Sequence, residues 1–192
     1  MICFCRHEIE IMLDARRQKF AMEVLSKSQD FEFRSGLANL TRLRYIDLGG
    51  TGITSLTLSL GLSSPDLRHL GLSSCKGKLI SDVGLHEAAI RHPRLSSLCL
   101  KSSCVTDVGL LSCISCLPRL VHLDVRQCLA LTSPGIAPLP QVVPQLQTLL
   151  ISQCPGVSLD TGKHILNNMR FLKKIDLHGL KKEPFVSTDY SL

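Results

Sequence analysis

Leu120-Val121-His122-Leu123-Asp124-Val125-Arg126-Gln127-Cys128 sets apolar residues at the first, fourth and sixth positions and closes on a cysteine, and this spacing recurs along most of the chain. Copies begin at Leu43, Leu67, Leu95, Leu120, Leu146 and Leu172, at steps of 24, 28, 25, 26 and 26 residues. The first copy uses Ile46 and Leu48 at the later positions, and the sixth uses Ile175 and Leu177. A short strand sends alternate side chains to opposite faces, so the fourth and sixth residues point one way and the third and fifth the other. One copy cannot bury its leucines alone, but stacked copies make a continuous core with the polar alternates in columns. The spacing predicts a right-handed solenoid of six short parallel strands, with Leu70, Leu98, Leu123 and Leu149 in one core column.

The segments between these copies carry a second signal. Ile80-Ser81-Asp82-Val83-Gly84-Leu85 and Val105-Thr106-Asp107-Val108-Gly109-Leu110 are nearly identical. A hydroxyl or carboxylate there can cap the first N–H groups of a helix whose following apolar residues face inward. Each repeat therefore reads strand, loop, helix, at a period within the leucine-rich-repeat range. The fold class is α/β, with a parallel sheet on the concave face and helices and turns on the convex face.

With Cys75, Cys104, Cys128 and Cys154 just after the strands, residues 40 to 180 resemble the cysteine-containing repeats of the F-box/leucine-rich-repeat proteins. Cys104 lies one residue later than the others, which predicts an extra residue in its loop. The resemblance implies a substrate-recognition role for a cullin-type ubiquitin ligase in ubiquitin-dependent protein catabolism. Residues 1 to 42 show neither the Leu-Pro opening nor the tryptophan of an F-box. A Skp1-type adaptor is thus expected to bind only if an F-box is supplied elsewhere, as for a fragment or isoform lacking the box. The alternative is a free-standing leucine-rich-repeat scaffold or regulator.

Composition narrows the function classes. The 192 residues are 44% hydrophobic, enough for one extended core, and hold no Trp, two Tyr and six Phe, so that core is aliphatic. The net charge of +6 comes from scattered Lys and Arg without a long basic run or interleaved aromatics, which argues against nucleic acid binding. Met1 to His7 does not read as a signal peptide, and no 18-residue apolar stretch exists, so the expectation is a monomer with reduced thiols in the cytoplasm or nucleus, off the membrane.

Three segments follow. Residues 1–42 read as an N-terminal helix acting as cap or partial repeat, with Ile9, Leu13, Phe20 and Val24 on one side over residues 7 to 28. Residues 43–180 are the repeat domain, and 181–192 a weakly ordered tail whose Tyr190-Ser191-Leu192 end could add a strand to a carboxylate-capturing groove. Within the repeats, Thr54 to Pro65 reads as irregular or briefly helical. Pro134, Pro138, Pro140 and Pro144 predict a short turn or 3₁₀ segment in place of the fourth helix, and a helix returns near Asp160 to Arg170.

No catalytic set, cofactor site or metal site emerges. Cys113-Ile114-Ser115-Cys116 has redox or zinc spacing but no second pair, and reads as buried thiol on a helix; a thiol redox protein using Cys113 and Cys116 is the enzymatic alternative. Cys3, Cys5 and His7 lack a fourth donor. The reading is a non-catalytic protein-binding module whose concave face offers Tyr45, Asp47, His69, Lys101, His122, Asp124, Arg126, Lys174 and Asp176. Lys101 and Arg126 fall on adjacent strands about 4.8 Å apart, where side-by-side cations suit an acidic partner.

Overall fold

Six three-residue strands, all parallel, pair side by side in chain order in the computed structural model, which describes residues 41–74 and 80–181. They are β1 (Tyr45–Asp47), β2 (His69–Gly71), β3 (Ser97–Cys99), β4 (His122–Asp124), β5 (Thr148–Leu150) and β6 (Lys174–Asp176). The register runs Ile46, Leu70, Leu98, Leu123, Leu149 and Ile175 straight across the sheet. The first five are at most 3% exposed. Leu43, Leu67, Leu95, Leu120 and Leu146 fill a second buried column, and Leu48, Leu72, Leu100, Val125 and Ile151 a third. The leucine spacing thus becomes an α/β leucine-rich-repeat solenoid, its core running the length of the stack between sheet and helices.

Helices α1 (Ser55–Gly61), α2 (Asp82–Arg91), α3 (Asp107–Ser115), α4 (Ser133–Ile136), α5 (Leu139–Val142) and α6 (Leu159–Asn168) connect successive strands. Thr54, Ser81, Thr106 and Ser158 cap α1, α2, α3 and α6, each hydroxyl accepting an amide of the first turn. The first repeat therefore carries a defined helix. In the fourth repeat the prolines divide the helix and do not abolish it, because Pro134 and Pro140 each sit in the first turn of a short α-helix, where no N–H is needed. Pro144 belongs to a different set. With Pro65, Pro93 and Pro118 it stands two residues before the leucine that opens the next copy of the strand motif.

The Asp of the repeated Ser/Thr-Asp-x-Gly element serves the next repeat. Asp82 accepts the Thr106 amide (3.2 Å) and hydroxyl (2.5 Å), and Asp107 accepts the Thr132 amide (2.8 Å) and hydroxyl. A Cβ on Gly109 or Gly135 would overlap these carboxylates, so glycine there makes room for the neighbouring repeat. Ser55 and Ser133 do the same with hydroxyls, accepting the Ser81 and Ser158 amides at 2.7 and 3.0 Å. Repeats are clamped in series.

Each strand leaves through one left-handed residue four places after its core position: Gly50, Ser74, Ser102, Gln127, Gln153 and Gly179. This register corrects the reading of Cys104. The residue after Ser102 is Ser103, and it occupies the place of Cys128 and Cys154, with its hydroxyl 3.5 Å from the Cys128 sulfur. Cys104 is exposed one step further on, so the loop has a serine at the cysteine position and no inserted residue. Cys128 and Cys154 are buried and donate to Leu100 O and Val125 O of the preceding repeat, both at 3.1 Å. Lys181 is tied to the last helix start, its carbonyl accepting the Leu159 amide at 2.7 Å. The expected helix over residues 7 to 28, the Cys3, Cys5 and His7 group, Cys75 and the Tyr190-Ser191-Leu192 end lie outside the described residues.

Candidate protein-binding surface

The odd positions of the strands form the columns of the concave face. Tyr45, His69, Ser97, His122, Thr148 and Lys174 stand in one, and Asp47, Gly71, Cys99, Asp124, Leu150 and Asp176 in the next. Backbone bonds from Ser74 N to Lys101 O and from Ser102 N to Arg126 O continue a third column through Ser73, Lys101 and Arg126. All nine residues picked from the sequence therefore lie on this face, each exposed or half-buried.

The first column is organised by stacking. The Tyr45 and His69 rings lie 4.2 Å apart and nearly parallel, and His69 Nδ1 meets Ser97 Oγ at 2.8 Å. Burial lowers the His69 pKa to about 4, with His122 adding to the effect and Asp47 opposing it. The ring is neutral at pH 7, so this end of the face presents a flat, uncharged aromatic pair.

In the second column the strand-end aspartates close a turn. Asp47, Asp124 and Asp176 each accept the amide two residues on, from Gly49 (2.9 Å), Arg126 (3.1 Å) and His178 (3.1 Å). Gly71 leaves space for the Asp47 carboxylate, which a Cβ would meet. Asp124 goes further, taking Arg126 Nε at 2.9 Å and Nη2 at 2.6 Å in a two-point pair. The Cys99 thiol donates to Asp124 Oδ2 at 3.4 Å and contacts Ser73 Oγ at 3.0 Å; burial is the main cause that pushes its pKa up. The expected pair of side-by-side cations is altered: Arg126 turns onto its own strand's aspartate, while Lys101 makes no ion pair among the described residues.

The sequence reading missed the polar row just beyond the strands. Ser102 Oγ donates to Gln127 Oε1 at 2.8 Å, and Gln127 Nε2 to Gln153 Oε1 at 2.5 Å, each from a left-handed residue. The signal was a polar residue four places past the core leucine in consecutive repeats. A cavity of about 870 Å³ opens beside this row, lined by Ile80, Asp82, Cys104, Leu129 and Ala130 among others.

Cys113 is buried and its pKa is pushed up to about 12, first by burial and then by the Cys116 thiol, so it is a poor source of thiolate. Among the described residues no three His, Cys, Asp or Glu side chains gather as a metal site, and no helix is long and apolar enough to cross a membrane.

No protein-family model matches the chain, and comparison with curated proteins gives no match. Solved structures do match it. The C-terminal domain of tropomodulin from Caenorhabditis elegans is 14% identical, with a TM-score of 0.54, over 80% of this chain and 91% of that one. The actin-binding site 2 of leiomodin-1 is 15% identical, with a TM-score of 0.51, over 75% of this chain and 89% of that one. At such identity the likeness concerns the fold. It overturns the resemblance to the F-box/leucine-rich-repeat proteins, since the architecture matched is that of tropomodulin and leiomodin domains. Period, strand motif and capping turn are what stacking requires of any such solenoid, so they specify the repeat class and leave the family open.

Proposed function

We propose that this chain is a free-standing leucine-rich-repeat interaction module that holds a protein partner against its concave sheet. The observation that carries this reading is the preorganised polar face: the Tyr45–His69 stack and the Cys99–Asp124–Arg126 network fix side chains that remain partly accessible. Side chains locked before binding lose little conformational freedom on association, which favours recognition over a merely solvated surface. The leiomodin-1 segment of similar fold is named for an actin-binding site, and that supports actin as the first partner to try. A non-catalytic role accords with the buried, weakly acidic Cys113.

The test is co-sedimentation with filamentous actin, run beside affinity capture from a lysate, with the intact chain and with Lys101→Glu and His122→Glu variants. The reading expects a partner whose binding falls when these exposed or half-buried positions change while circular dichroism stays unaltered. A partner retained at full affinity by both variants would place recognition off the concave sheet.

A further inference from the structure

We infer that the edge where the chain enters its strands is a second interaction surface, one that docks an acidic protein segment through Arg42, Arg44, Arg68, Arg94 and Arg119. In the sequence these arginines are spread over three repeat lengths, from just before Leu43 to just before Leu120. The fold gathers them. The Arg68 and His69 amides both donate to Arg44 O, at 2.8 and 3.0 Å, which sets Arg44 and Arg68 side by side on neighbouring rungs, about 4.8 Å apart along the stack. Arg42 and Arg44 flank the buried Leu43, and Arg94 and Arg119 directly precede the buried Leu95 and Leu120. All five side chains are exposed. Arg94 pairs with Asp66 one rung away, which confirms that this position too runs as a row.

The acids of the strand ends and helix starts stand at the opposite edge, a strand length away. Asp47, Asp124 and Asp176 close turns onto backbone amides, and Asp82 and Asp107 hold hydroxyls and amides of the next repeat. Asp66 apart, the charge facing solvent at the strand-entry edge is positive among the described residues, in a chain of net charge +6. Guanidinium groups present fixed forks that match carboxylates two-fold, and acidic side chains three or four residues apart on a helix are about 5–6 Å apart, close to the rung spacing. Asp66 favours protein over nucleic acid: a continuous phosphate backbone would have to pass this carboxylate, whereas a protein segment can leave a gap there.

The full chain is tested by fluorescence anisotropy against a glutamate-rich helical peptide, an RNA duplex of comparable charge and phosphatidylserine vesicles, at low and physiological ionic strength. The peptide should bind most tightly, and Arg44→Glu/Arg68→Glu should weaken it by about tenfold or more while Lys101→Glu on the concave face leaves it unchanged. Arg44→Gln/Arg68→Gln, gentler to the fold, should weaken it by a smaller factor. Tighter binding to the duplex or vesicles, salt-sensitive self-association abolished by the same reversal, or peptide binding indifferent to both double variants would each overturn the inference. None of these outcomes touches the concave-face reading, which is decided by Lys101 and His122.

Discussion

The sheet and the helical side of this solenoid obey different tolerances. Every strand is three residues long and pairs in unbroken register, whereas the helices have lengths of 7, 10, 9, 4, 4 and 10 residues. A parallel ladder demands uniformity because a slip of one residue would turn the leucines to solvent. The convex side has no such ladder. It needs only a capped start, a clamp to the next repeat and some apolar residues facing in, so prolines can split one helix without breaking the stack. Regularity is enforced on one side and merely accommodated on the other.

The sharpest way to break this comparison is to truncate one side chain on each side. Leu123→Ala removes the centre of the core column, where exposure is 1%, and should cost about 3–4 kcal/mol in denaturant unfolding. Val108→Ala, on a helix residue 72% exposed, should stay within about 0.5 kcal/mol. Comparable losses from the two would show that the sides are equally constrained.

The clamp is where the helical side ought to be strict. Gly109→Ala drives a methyl into the Asp82 carboxylate and should destabilise by about 2 kcal/mol. Adding Asp82→Ala should recover part of that loss, because the clash goes while the Thr106 bonds are already forfeited. Strictly additive effects would mean that the two residues do not share a site.

Acid should act on both sides at once. His69 on the sheet and His92 at the end of α2 have pKa values lowered chiefly by burial, to about 4 for His69. The unfolded chain, near the ordinary value of about 6.5, then binds more protons than the folded one between these limits. Stability should be full above pH 6.5 and fall as pH drops toward 4, by about 2 kcal/mol from His69. Thermal melts across that range check this, and His69→Phe, which keeps a ring for Tyr45, should flatten the profile in part.

The smallest contrast lies within the concave face. Arg126→Glu places a carboxylate beside Asp124, whose side chain is only 13% exposed, and should cost about 1 kcal/mol, whereas Lys101→Glu should be nearly neutral in stability. Equal melting temperatures for the two would mean that the Arg126 pair contributes nothing.

Much of this was legible before any coordinates. Strand positions, register and the inward columns follow from alternation with a fixed step, so all nine concave residues fall where the spacing puts them. Cys104 falls out of step because a recurring cysteine is a looser guide to the frame than the left-handed turn residue, which is Ser102 in its repeat. Arg126 stands on the expected face, but its guanidinium closes on Asp124 and not beside Lys101, since a strand motif fixes where a side chain starts and not the rotamer that carries its end. The arginine edge was invisible for a geometric reason: residues a full repeat apart are strangers in sequence and neighbours on adjacent rungs. Family was not legible at all, because the features that recur are the ones stacking requires.

The series of clamps also has a direction. Ser55, Asp82, Asp107 and Ser133 each reach forward, so the amide that opens one helix is held by the repeat before it. At these side-chain clamps, a repeat lost from the C-terminal end leaves behind an idle acceptor, readily wetted. A repeat lost from the N-terminal end instead strips the latch from the next helix start, so the two ends of the array fray by different means.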